Sequence, residues 1–263
     1  MASDPYAAPK ARVEDVREAH EAAQFVAGGQ SVPAGNGWQW IAQGWSLFMR
    51  QPAMWILLTI AAFAIFFVLG LIPIAGFVAS SLLWPVLWAG FAIACRDLER
   101  GEELRLGHLF AGFRNRPGRL IAIGALVLAA MIAIFAVAAL LAGLSATGMF
   151  SSVMLGRPDA EFVGAGLALL VWMLIVLGLS IPVYMASWFA PALVALHGLA
   201  VGDALKASLR ASLKNVLPFL LYGAVLFAFA IVASIPLGLG WLALGPVLIA
   251  SVYASYRDIF TAH

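Results

Sequence analysis

Residues 99–119 read ERGEELRLGHLFAGFRNRPGR. Charge-free runs flank this stretch, 51–95 before it and 120–156 after it. Within it, Leu106, Leu109, Phe110 and Phe113 fall at i, i+3, i+4 and i+7, one face of a helix. Arg105 and Arg114 lie elsewhere on the circumference, and Pro117 opens the next apolar run. A short basic helix with one apolar face lies in a membrane interface. The stretch is therefore read as an interfacial helix joining two membrane-inserted segments.

The pattern recurs. In GDALKASLRASLKNVLP (202–218), Leu205, Leu209 and Leu213 form an apolar stripe and Lys206, Arg210 and Lys214 a basic one. Pro218 again precedes an apolar run, at the same spacing from Gly202 as Pro117 has from Gly101. Upstream, GWQWIAQGWSLFMRQP places Trp38, Ile41, Trp45 and Phe48 on one face before Arg50 and Pro52. The apolar runs repeat as well. Ile-Pro occurs at Pro73, Pro182 and Pro236, followed by second prolines at Pro85, Pro191 and Pro246. Each second proline stands the same distance before an acid, Asp97, Asp203 or Asp258. Several coincidences in one alignment predict a triplicated unit.

Composition sets the class. Only 11% of the 263 residues are charged, too few for a soluble surface. Four stretches, 51–95, 120–156, 162–202 and 215–256, hold no Asp, Glu, Lys or Arg. A crossing needs about 20 apolar residues, so each stretch has room for up to two. The expected fold is an all-α integral membrane protein of six transmembrane helices, with eight as the alternative if residues 120–202 form four short spans. It is built from three pseudo-repeats of amphipathic helix plus hairpin, at 38–97, 101–203 and 202–258. Residues 1–37 are expected to be a mostly disordered tail and linker, and 259–263 a short C-terminal tail.

All the lysines and arginines except Arg157 fall in the tail, the amphipathic segments or the ends of returning spans. The positive-inside rule then puts both termini and all three amphipathic segments in the cytoplasm of a bacterial inner membrane. A net charge of +2 does not suggest nucleic acid as a partner. The single cysteine, Cys95, allows no internal disulfide or cysteine cluster.

Chemistry is sparse. No acid or base is central to any span, and no HExxH, GxSxG or Walker A pattern occurs. No catalytic residue, metal site or cofactor is assigned. Arg105, Arg114, Arg116, Arg119, Lys206, Arg210 and Lys214 are candidates for lipid headgroups, anionic ones in particular. Ordinary positive-inside topology accounts for the same bias. Pro85, Pro191 and Pro246 are candidates for kinks framing a pocket, because proline inside a helix frees a carbonyl.

WFAPALVALHGLAVGDALKASLRASLKNVLPFLLYG (188–223) resembles the membrane domain attached to some glycerophosphoryl diester phosphodiesterases. VPAGNGWQWIAQGWSLF and LERGEELRLGHLFAGFR resemble an uncharacterised proteobacterial family of multi-pass inner-membrane proteins of this type, across most of residues 32–258. The resemblance implies architecture. It carries over no catalytic residue, since no phosphodiesterase domain is present. The functional expectation is a non-enzymatic membrane protein that handles lipid or apolar material or acts as a scaffold. Its partners would be membrane lipids, another membrane protein or a second copy. The alternative is an uncoupled facilitator of a small neutral solute.

Overall fold

The computed structural model describes residues 25–154 and 158–262, and among them the chain is all-helical. Helix α1 spans Asn36–Arg50, and the hairpin α2 (Pro52–Gly70) and α3 (Ala75–Glu99) follows. A 3-10 segment (Leu106–Phe110) and the single turn α4 (Ala111–Arg114) lead into the long helices α5 (Pro117–Met154) and α6 (Pro158–Trp188). After α7 (Ala190–His197) and α8 (Val201–Lys214) comes the last hairpin, α9 (Val216–Ser234) and α10 (Trp241–Phe260).

Five helical stretches are long and apolar enough to cross a membrane: Pro52–Gly70, Ala75–Glu99, Pro117–Leu140, Leu170–His197 and Val216–Ser234. Helix α10 falls outside this group because Ser251, Tyr253, Ser255, Tyr256, Arg257 and Asp258 make its second half polar. Residues 120–154 and 158–188 each lie in one continuous helix. Arg157 and residues 1–24 lie outside the described part.

The core sits at one end of the bundle. It is built from the second halves of α3 and α10, from α7, and from the segments laid across them. Helix α1 crosses α10, and the backbones touch because Gly44 has no side chain: a Cβ there would stand 2.8 Å from Val247 O and Ser251 N. On α3, Gly90 likewise lets the 3-10 segment in against its backbone. Helix α8 packs on α6 through Ala204, Ala207, Ser208, Ala211 and Ser212. Away from this end the helices are little covered. In the apolar windows of α2 and α9 only 17% of residues are buried, against 50% in α3.

Several expectations change. The segment 106–113 is not a regular α-helix: it is a 3-10 segment plus one α turn, and only Leu109 and Gly112 are buried. Trp40, off the apolar stripe of α1, is fully buried, whereas Trp38 and Trp45 of that stripe are half exposed. In α8 the leucine stripe is not the packed face. Close helix–helix approach selects small residues: Leu205 and Leu209 are only half-buried, Leu205 against the edge of the core, and Leu213 is exposed. The interval from Pro191 to Asp203 is not one helix end either. Gly198, at φ 70, terminates α7, and Asp203 falls in the first turn of α8.

The second half of the expected linker is held in place. Gln30 Nε2 donates to Asp258 O (2.8 Å), and Asn215 Nδ2 donates to Gln30 O (2.9 Å). Val32 N–H donates to Asn215 Oδ1 (2.8 Å), and Phe25 stacks on His197 at 3.9 Å between ring centres.

Candidate functional site

The basic candidates fall into two groups. Arg116, Arg119 and Lys214 are engaged in the fold. Arg119 Nη1 donates to Gly198 O (2.8 Å) and Leu199 O (3.3 Å), and Arg116 Nη1 donates to Val194 O (3.2 Å). Asn115 Nδ2 adds a bond to Ala195 O (2.8 Å). These carbonyls belong to the C-terminus of α7 and the loop after it, where helix ends leave acceptors without partners. Lys214 Nζ donates to Gly28 O (3.2 Å) and Gly29 O (2.8 Å), fixing the linker. Arg114, Lys206 and Arg210 are exposed and have no side-chain partner among the described residues. Arg105 is exposed at the start of the 3-10 segment.

The three prolines are all buried. Pro85 and Pro246 lie inside continuous helices, whereas Pro191 stands in the first turn of α7, just after the chain turns at Phe189. The break there is stapled by Ser208, whose hydroxyl donates to Met185 O (2.7 Å) and accepts from Phe189 N–H (3.0 Å). The segments around the three prolines do meet. Trp88 and Phe91, Trp188 and Phe189, and Tyr253 and Tyr256 wall a common crevice of about 10 Å³. That is room for about one water molecule.

A larger hollow lies elsewhere. Between α2 and α10 is an open groove of about 420 Å³, walled by Ile56, Thr59, Ile60, Phe63, Phe67 and Trp241 among others. Its few polar atoms are already bonded. Thr59 Oγ1 donates to Trp55 O (2.9 Å), and Trp241 Nε1 donates to Ser234 Oγ (3.1 Å).

A polar network at the buried end was not anticipated. Asp258 accepts from Trp40 Nε1 (2.7 Å) and Asn36 Nδ2 (2.8 Å). Glu99 accepts from Tyr253 OH (2.9 Å) and pairs with Arg257, which also donates to Gln43 Oε1 (3.0 Å). Asp97 pairs with Arg96 (2.8 Å) and lies 3.4 Å from His108 Nε2. The recurring acids Asp97 and Asp258 were the visible signal. What the spacing could not show is that each meets an amphipathic segment of a different hairpin. All these groups have partners within the protein, and among the described residues no three His, Cys, Asp or Glu side chains are grouped to hold a metal.

Helices of this length and apolarity define a multi-pass inner-membrane protein. The chain is 32% identical to a "probable inner membrane protein" of Burkholderia thailandensis, over 87% of its own length and 92% of the relative's. It belongs to that protein's family. No family profile matches the chain, and neither does any solved structure.

Proposed function

We propose that this protein is a non-enzymatic lipid-organising component of the inner membrane. Three helical hairpins of a triplicated unit, six membrane helices in all, would insert from the cytoplasmic side, with both termini cytoplasmic. The cyclic packing supports the triplication. Helix α1 lies on α10, the 3-10 segment on α3, and α8 on α6, so each amphipathic segment sits on the second helix of the preceding hairpin. The likeness to the membrane domain attached to some glycerophosphoryl diester phosphodiesterases agrees with this architecture and implies no hydrolysis.

The observation that carries the lipid reading is the groove between α2 and α10. It is large, apolar and open, and its polar atoms are already satisfied. Such a surface offers nothing to a polar solute and suits an acyl chain. The free bases Arg114, Lys206 and Arg210 would attract phosphate headgroups at the cytoplasmic rim. The facilitator alternative gains no specific support, since the central crevice has room for only about one water. The test is native mass spectrometry from detergent. The unmodified protein should retain bound phospholipid, and Ala64→Trp, which fills the groove, should lose at least one lipid. Equal retention by both would refute acyl occupancy of the groove.

A further inference from the structure

The turns that close the first and last hairpins, 71–74 and 235–240, carry no charged residue, and their side chains stand out from the protein. Ile74 is 83% exposed and Leu237 98%. Both residues also adopt left-handed backbone, at φ 58 and φ 52. This conformation is uncommon for a leucine and a true outlier for a β-branched isoleucine. The two positions correspond, each following the proline of an Ile-Pro pair.

The twist closes the turns on themselves. In the first, Leu71, Ile72, Ala75 and Gly76 donate their N–H groups to carbonyls within residues 68–73. In the last, Ile235, Leu237, Gly238, Leu239 and Trp241 donate to carbonyls within residues 232–238. Proline, which has no N–H, occupies a further position in each. Beside the last turn, Trp241 Nε1 bonds to Ser234 Oγ, which bonds to Ala230 O (2.8 Å). Most N–H groups of the two turns are thus bonded within the turn, those of Ile74 and Gly240 excepted. Such internal bonding is what lets a turn enter hydrocarbon, where water supplies no partners.

Reach points the same way. The 3-10 segment touches α3 at Gly90, and only residues 75–89 of that helix remain before its start, about 22 Å at the helical rise. Helix α1 touches α10 at Ser251, and residues 241–250 remain, about 15 Å. The outgoing helices α2 and α9, of 19 residues each, rise about 28 Å. The hydrocarbon core is about 30 Å thick, and any tilt shortens these lengths. The middle hairpin differs. Helix α5 meets Ser81 and Leu82 of α3 at Gly124 and then continues through residues 125–154, about 45 Å.

We infer that the turns at 71–74 and 235–240 end inside the bilayer, against the acyl chains of the far leaflet, and that the middle hairpin alone reaches water on that side. The first and last hairpins are then lipid-facing wedges, and the groove between α2 and α10 opens beside their tips. The inference rests on the interfacial placement of the amphipathic segments in the proposed function.

The test is spin-label depth measurement in phosphatidylethanolamine–phosphatidylglycerol liposomes, on Ile74→Cys, Leu237→Cys and Lys206→Cys. The native Cys95 is buried, and the unsubstituted protein reports any label it takes. Labels at 74 and 237 should be relaxed by oxygen far more than by a polar nickel chelate, and the label at 206 the reverse. Leu71→Cys and Leu239→Cys, also exposed, serve if either tip variant fails to fold. Nickel accessibility at 74 and 237 equal to that at 206 overturns the inference alone. A hydrocarbon signature at 206 overturns the interfacial placement and the inference with it.

Discussion

Asp258 fixes the first amphipathic helix to the last membrane helix through single atoms. Its Oδ2 accepts from both Asn36 and Trp40, and Trp40 is fully buried. Asp258→Ala leaves that indole N–H without its acceptor, at a cost of about 1–3 kcal/mol. Thermal unfolding in detergent should shift down by about 2–4 °C per kcal/mol. Asp258→Asn keeps an acceptor and should lose less; equal losses from the two variants would refute a hydrogen-bond role. The basic residues divide by the same logic. Arg116→Ala and Arg119→Ala uncover carbonyls at the end of α7 and should lower stability. Arg114→Ala, Lys206→Ala and Arg210→Ala combined should leave the unfolding temperature within about 2 °C, because surface positions away from packed features change stability little. They should instead reduce retention of phosphatidylglycerol, each base contributing about 1 kcal/mol to the surface attraction. Unchanged retention would leave these three bases with a topological role only.

Helices here meet through small residues, and that reverses the usual reading of an amphipathic pattern. In α8 the leucine stripe is visible in the sequence, yet alanines and serines make the packed face. Lipid solvates leucine as well as protein does, so burying it between helices gains little, while close backbone approach gains dispersion and hydrogen bonding. The stripe in α1 divides, with Ile41 and Phe48 buried in the core and Trp38 and Trp45 half exposed, and periodicity gave no hint that Trp40 would find an acid 218 residues away. At the 3-10 segment, Leu106, Phe110 and Phe113 show helical spacing, yet the backbone is 3-10 followed by a single α turn. The close contacts make a direct test. Gly44→Ala would push a methyl group to 2.8 Å from the backbone of α10, which has no rotamer to yield, and should cost about 1–3 kcal/mol in detergent stability. Gly107→Ala, with nothing within 4 Å, should stay within about 0.5 kcal/mol. A neutral Gly44→Ala would refute the tight crossing of α1 on α10.

The whole molecule concentrates its packing and polar bonds at one end and leaves apolar surface at the other. The charge-free stretches made the helices legible, and the bias of Lys and Arg is the ground for expecting a common side for the amphipathic segments. The groove was not, because Ile56 and Trp241 meet only after the first and last hairpins close on each other. Nor was the break at Gly198, where a repeat spacing matching the other two hides a different backbone path. Orientation follows from charge, not from coordinates, and it can be measured. Alkaline phosphatase and fluorescent-protein fusions at Gly35, after Pro117, after Pro218 and at the C-terminus should all report cytoplasm, since the overall bias of Lys and Arg places these points on one side. In the proposed six-helix arrangement a fusion near Arg157 should report the periplasm, because α5 and α6 are each one continuous helix. A cytoplasmic signal near Arg157 would require each long helix to fold back within the membrane. A periplasmic C-terminus would break the hairpin scheme itself, since every hairpin must return the chain to the side of its amphipathic segment.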